Sequence, residues 1–214
     1  NSGSFDERLR ARLAEANIRL ARIKYDLGHL EAAEKIVAGE INYLKPRLEA
    51  SFSESETNTY AEAHLLSALI LSEGESFDQA LLSCNSSVES FQLLTNVLPT
   101  VSRYRIRLAR VYVRRAECHR GKNGVPRDRM VFSVMFRQAE DDYRQAQQIL
   151  AGLYTRNPSS LECRRELARA KSSHGYWLLQ LDPITARKLV LEAVDLLETY
   201  PDKSEFSAED KMVL

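Results

Sequence analysis

Apolar residues return every three or four positions along nearly the whole chain, and the runs break at prolines and glycines. That period lays apolar side chains along one stripe of an α-helix. Leu9, Leu13, Leu20, Ile23 and Leu27 form the first such stripe. A proline inside a helix costs about 3 kcal/mol. Pro46, Pro99, Pro126, Pro158, Pro183 and Pro201 therefore mark helix ends, with Gly28, Gly74 and the stretch 121–124 as further breaks. The punctuation predicts eight helices: 5–27, 30–44, a third that follows the polar stretch 51–59 and ends at 72, then 77–98, 101–119, 129–154, 158–181 and 183–200. Ser4, Ser76 and Ser159 or Ser160 stand where N-caps belong. Residues 1–4 read as a flexible lead. Residues 202–214 read as a polar tail, in which Ser207-Ala208-Glu209-Asp210 starts a further helix that the end at Leu214 cuts short.

The helices repeat in pairs. Arg19-Leu20-Ala21-Arg22 returns as Arg107-Leu108-Ala109-Arg110 and as Glu166-Leu167-Ala168-Arg169, each time in the first helix of a pair. In the second helices, Phe136, Ala139, Tyr143 and Ala146 follow a 3-4-3 spacing. Parts of it recur as Ala186, Val190 and Ala193, as Leu30, Ala33 and Val37, and as Phe77, Ala80 and Cys84. Positions three and four apart share a face, so the small residues admit a neighbouring helix closely and the large ones fill the space beside it.

This arrangement, over roughly residues 14 to 201, resembles the tetratricopeptide repeat (TPR) family. The Leu-Ala pairs match its first helix, the Phe136–Ala146 series its second, Gly28-His29-Leu30-Glu31-Ala32-Ala33 its turn, and Pro46, Pro158 and Pro201 its closing proline. The Leu-Ala pairs stand 88 and 59 residues apart, against a usual repeat of about 34, so the helices are lengthened and the repeats degenerate. The resemblance implies an all-α, right-handed superhelix of antiparallel helix pairs, at about 5–46, 57–98, 101–156 and 159–200. The Tyr-Arg-x-x-Leu-Ala phrasing also resembles TPR-like regions attached to bacterial, planctomycete-type Ser/Thr kinases. In the family the first helices line a concave peptide groove. Carried over residue by residue, the groove positions are Ile18, Arg22 and Asp26; Arg103, Ile106, Arg110 and Arg114; and Arg165, Arg169 and Ser173.

The chain has 214 residues with only eight Gly and six Pro, few for a many-turned β sandwich or barrel. Thirty basic residues balance thirty acidic ones, but unevenly along the chain. Residues 51–100 carry seven acids and no Lys or Arg, and residues 101–130 carry ten bases and two acids. Opposite charges meeting between the second and third pairs would explain this within one molecule. A concave surface bearing Arg22, Arg103, Arg110, Arg114, Arg165 and Arg169 would instead select an acidic or phosphorylated peptide, because the guanidinium fork donates two parallel hydrogen bonds to such groups. The competing role for these arginines is internal pairing with Glu117, Glu162, Glu166 or the acidic second pair.

No constellation for chemistry emerges. The four histidines are scattered, Cys118 and His119 point apart on a helix, and no ligand pair has zinc spacing. Gly121-Lys122-Asn123-Gly124 lacks phosphate-loop spacing. Glu140-Asp141-Asp142 reads as a solvated helix face, and Trp177 with Tyr176 as core or groove wall. No cofactor, metal or catalytic residue is expected. Three cysteines without tight spacing suit a reducing, cytoplasmic setting. Neither a secretory leader nor a run of about 18 apolar residues is seen, so no membrane partner is expected. The leading expectation is a non-catalytic protein-interaction module or scaffold, part of a larger signalling protein. A nucleic-acid-binding helical repeat is the first alternative, opposed by the cation-free stretch 51–100. A structural domain that self-associates through its opposite charge patches is the second.

Overall fold

The computed structural model describes residues 2–121 and 129–198, with side chains from residue 9 in the first stretch and from 134 in the second. The described residues form eight α-helices and no strand: α1 Ser2–Asp26, α2 Leu30–Ala50, α3 Glu54–Glu73, α4 Phe77–Val97, α5 Ser102–Gly121, α6 Arg129–Arg156, α7 Leu161–Leu178 and α8 Pro183–Glu198. The described residues are thus all-α, as the apolar period predicts. It comprises two compact units, Asn1–Val101 and Ser102–Leu214. The expected loop at 122–126 and the tail at 202–214 lie outside the described residues, whereas α1 begins at Ser2, so Ser4 stands inside the helix rather than at its cap and residues 2–4 belong to α1 rather than to a lead.

Within the first unit α1 packs on α2, α3 packs on both, and α4 packs on α3. Within the second unit α5 packs on α6, α7 packs on both, and α8 packs on α7. Each unit is therefore two helix pairs, the third helix seated against the first pair. Small residues mark the closest approaches. Ala21, Ala33, Ala63, Ala80, Ala109, Ala146 and Ala193 are all fully buried. Around them Ile18, Val37, Leu66 and Ile70 build one core cluster of the first unit. In the second unit Tyr104, Tyr143 and Leu150 are at most 1% exposed.

Each unit also carries buried carboxylates held by arginine. Glu40 of α2 accepts from Asn17 at 2.7 Å and from Arg10 at 3.5 Å, both on α1. Glu56 at the start of α3 accepts from Arg47 of α2 at 2.7 Å. Asp142 of α6 takes two bonds from Arg115 of α5, at 2.8 and 2.6 Å. Leaving one partner of such a pair alone costs about 3–5 kcal/mol, so these contacts fix which helix faces meet.

Several ends differ from expectation. Pro46 lies inside α2, which continues to Ala50. The last turn is fixed from outside, because Arg47 is anchored on Glu56 and lies over the Tyr43 ring. The polar stretch 51–59 is mostly helix. Ser53 caps α3 by accepting from the Glu56 amide, a Ser-x-x-Glu start. Ser160 caps α7 in the same way through the Cys163 amide, but Ser76 makes no side-chain cap. At that second turn it is backbone that closes the helix: Ser76 N–H donates to Leu71 O, with Glu75 at φ 58°. In the first turn Gly28 takes the left-handed position at φ 79°, and the following His29 N–H donates to Lys24 O.

The largest departure concerns α1. Leu9, Leu13, Leu20, Ile23 and Leu27 are 45–67% exposed, and the face in the core is Ala14, Ile18 and Ala21. α1 is thus apolar on two sides.

Two glycines inside helices separate propensity from packing. A Cβ on Gly39 meets nothing within 4 Å, whereas one on Gly175 would sit 2.9 Å from both Ala186 O and a Val190 methyl. Gly39→Ala is expected to stabilise the protein by about 0.5–1 kcal/mol. Gly175→Ala is expected to destabilise it by about 1–3 kcal/mol, because α7 and α8 must separate. Urea unfolding of both variants checks the opposite signs.

Candidate functional site

The six arginines expected on one groove fall in different units. Arg22 stands half-buried on α1 with its guanidinium 6.0 Å from the Tyr25 ring. Arg103, Arg110 and Arg114 stand on α5, and Arg165 and Arg169 on α7. Ile18 and Ile106, expected beside them, are buried.

In the second unit the arginines meet carboxylates of the same unit. Arg110 lies 3.0 Å from both Glu162 and the buried Glu166 of α7. Arg169 reaches the same Glu166 at 3.6 Å, so Arg110 and Arg169 share one anion. Arg114 pairs with Glu117 at 3.1 Å, and Glu117 in turn accepts from Ser173 of α7. Arg103 lies over the Tyr104 ring and donates to its hydroxyl at 2.6 Å. Arg165 is half-buried on α7. Several pairs are partly exposed; Glu162, for example, is 56% accessible in its side chain. Exposed pairs contribute about 0–1 kcal/mol each.

Where α5 and α7 end, they border an open cleft of about 1140 Å³ with the first half of α6. Its lining includes Arg114, Arg120, Phe136, Tyr143, Tyr176 and Trp177. Phe136 stacks on Trp177 with ring centroids 4.6 Å apart, and Tyr143 stacks on His174 at 4.8 Å. Tyr176 is 60% exposed, with Arg120 lying 4.2 Å over its ring. Trp177 is the only tryptophan of the chain and is half-buried. Its reading as core or groove wall becomes both: it stacks inward on Phe136 and lines the cleft.

A buried polar chain runs beneath these rings. His174 Nε2 lies 2.8 Å from a Glu140 oxygen, and Gln147 lies 3.0 Å from Nδ1. Gln147 Nε2 as donor leaves Nδ1 as the acceptor, so the neutral ring carries its proton on Nε2 and donates to Glu140. Burial lowers the His174 pKa, and the Glu140 bond opposes the shift. Burial raises the Tyr143 pKa. Glu140-Asp141-Asp142 is therefore not a solvated face. Glu140 holds His174, Asp142 is 2% exposed on Arg115, and Asp141 alone of the three is exposed. The signal was present, since Asp142 stands three after Ala139 and four before Ala146, on their stripe.

Among the described residues no three or more His, Cys, Asp or Glu gather as metal ligands would. Cys118 and Cys163 are buried, and burial pushes the Cys163 thiol up to about 11, away from a reactive thiolate. Among the described residues no helix is long and apolar enough to cross a membrane. Comparison with protein-family models, with curated proteins and with solved structures finds no match to this chain.

In the first unit His64 of α3 packs edge-on against Tyr60, and neither ring nitrogen meets a hydrogen-bond partner among the described residues. Burial first, and the Lys45 charge second, lower its pKa to about 4. The unfolded chain takes up this proton near pH 6.5, so the full stability is present above that value. It is lost as pH falls from about 6.5 towards 4, by roughly 3 kcal/mol. His64→Leu is expected to remove that component. Wild-type minus variant unfolding free energies at pH 7 and pH 4 check it.

Proposed function

We propose that the chain is a non-catalytic, TPR-like interaction module that holds a peptide partner in the aromatic cleft of its second unit. The reading takes the four helix pairs as a right-handed superhelix with α1, α3, α5 and α7 on its concave side. Its support is the order of packing, which is the same in both units, and the alanines at the contact positions of the repeat. It also takes the setting as cytoplasmic and the parent as a larger signalling protein of the kinase-attached kind.

The observation that carries the function is the cleft itself. It offers stacked aromatic walls, an exposed Tyr176 and two arginines at the rim. Aromatic and arginine side chains in a recess are what bind partners most strongly, because they bury much area for few frozen torsions. The ligand that fits is a peptide with one apolar or aromatic anchor and an adjacent carboxylate or phosphate. The anchor packs against Phe136 and Trp177, and the anion approaches Arg114 and Arg120. Arg110 and Arg169 serve instead to hold Glu166 and join α5 to α7. Arg103, Arg165 and Arg22 keep only a secondary part in this reading. A continuous nucleic-acid track is disfavoured because so many of these cations already face carboxylates of their own unit.

Trp177 makes the test direct. Peptides pairing an aromatic anchor with acidic, phosphorylated, neutral or basic neighbours are titrated against the protein while indole fluorescence is followed. Acidic or phosphorylated peptides are expected to shift the emission and to bind at least tenfold more tightly than basic ones. Arg120→Glu and Tyr176→Ala are each expected to weaken binding tenfold or more with an unchanged circular dichroism spectrum. No spectral change with any peptide, or wild-type affinity in both variants, overturns the reading.

A further inference from the structure

We propose that the outer face of α1 is a second docking surface, which takes an amphipathic helix of another polypeptide whose apolar seam is flanked by carboxylates. This stands on the first unit alone and does not rest on the cleft of the second.

The observation is a row of large apolar side chains exposed at a regular interval. Leu9, Leu13, Leu20, Ile23 and Leu27 are 58, 49, 45, 55 and 67% exposed. With the exposed Ala16 between them their spacing is 4-3-4-3-4. That is the 3.5-residue period at which one helix face stays against a partner helix, rather than the pattern of a helix lying on a mixed core. Leu27 sits just past the last helical residue but keeps the ladder, its N–H donating to Ile23 O at 3.0 Å. The seam runs for about 27 Å at 1.5 Å per residue. An apolar row of this length is unusual on a free surface and marks an interaction site. The body of α1 is fixed independently, since Ala14, Ile18 and Ala21 hold the opposite face in the core and Asn17 bonds to Glu40. The seam is therefore presented on a rigid support.

Charge decides the occupant. The positions beside a coiled-coil seam are here Arg10, Asn17 and Lys24 on one side and Arg12, Arg19 and Asp26 on the other. Four are cations and one is a carboxylate; Arg10 already reaches Glu40, and Arg19 holds Glu15 in an exposed pair that exchanges at little cost, so Arg12, Arg19 and Lys24 are the cations a partner meets. A second copy of α1 paired along the whole seam fits this poorly. In a parallel pair Arg19 faces Lys24 of the other copy on both sides. In an antiparallel pair with Leu13 opposite Ile23, Arg10 faces Lys24 twice and Arg19 faces Arg19, against two Arg12–Asp26 contacts. Like charges at these positions specify against a pairing. Glutamates or aspartates in the partner convert the same positions to attraction. Ala16 also leaves a gap in the seam that a bulky partner side chain fills.

The probe is a fluorescent three-heptad peptide with Leu at its seam positions and Glu at all flanking ones, whose own charge keeps it from pairing with itself. The control has Lys in place of Glu. Anisotropy with the full chain is expected to show the Glu peptide binding at least tenfold more tightly than the Lys peptide. Leu13→Ser/Leu20→Ser is expected to weaken it tenfold or more. Arg12→Glu/Arg19→Glu, which touches no core residue, is expected to reverse the preference between the peptides. The proposal is overturned by equal binding of the two peptides, or by no binding. It is equally overturned if the Leu variant binds unchanged, or if the chain sediments as a dimer that the Leu variant abolishes.

Discussion

Everything in this protein depends on how closely its helices approach one another. Alanines with no accessible surface stand on the contact faces of every described pair, and where α7 meets α8 even a methyl group is too large, at Gly175. Small contact residues bring backbones near, and dispersion between many atoms then does what a few large side chains do in a looser bundle. Large residues share the same core clusters, with Ile18, Val37, Leu66 and Ile70 beside Ala21, Ala33 and Ala63. Tyr104, Tyr143, Phe91 and Leu94 are at most 1% exposed.

Close apolar contact leaves the choice of face weakly specified, since Leu and Ala interchange readily along a helix. The buried carboxylates supply what is missing. Glu40, Glu56, Asp142 and Glu166 each bind arginine on a neighbouring helix. A helix turned by one residue would strand an anion out of water, at a cost no surface contact offsets. Much of the arginine content thus serves specification of the fold.

Helix number and most breaks were legible because proline, glycine and the apolar period act locally. What was not legible is anything decided by a neighbour. The Leu9–Leu27 stripe has a period as clear as any in the chain, yet it faces outward, because period identifies a face and not its occupant. Pro46 fails as a stop because Arg47 is held from α3. Asp142 looks solvated beside Glu140 and Asp141, and becomes buried only because Arg115 is opposite. Glu162 and Glu166 were legible as rival partners for the arginines of α5 and α7, but that Arg110 and Arg169 share the one buried Glu166 emerges only when the two helices are set side by side. The cleft was hidden for the same reason: Phe136 and Trp177 are far apart in sequence and stack in the fold.

The three cysteines have a practical consequence. Cys84, Cys118 and Cys163 are at most 2% exposed, the first in the first unit and the others in the second. A thiol reagent in solution meets none of them until a helix opens. Their labelling times are therefore clocks for local opening, one set into the first unit and two into the second. Read by mass on the same sample, they time the breathing of each unit separately, without any label having to be engineered in.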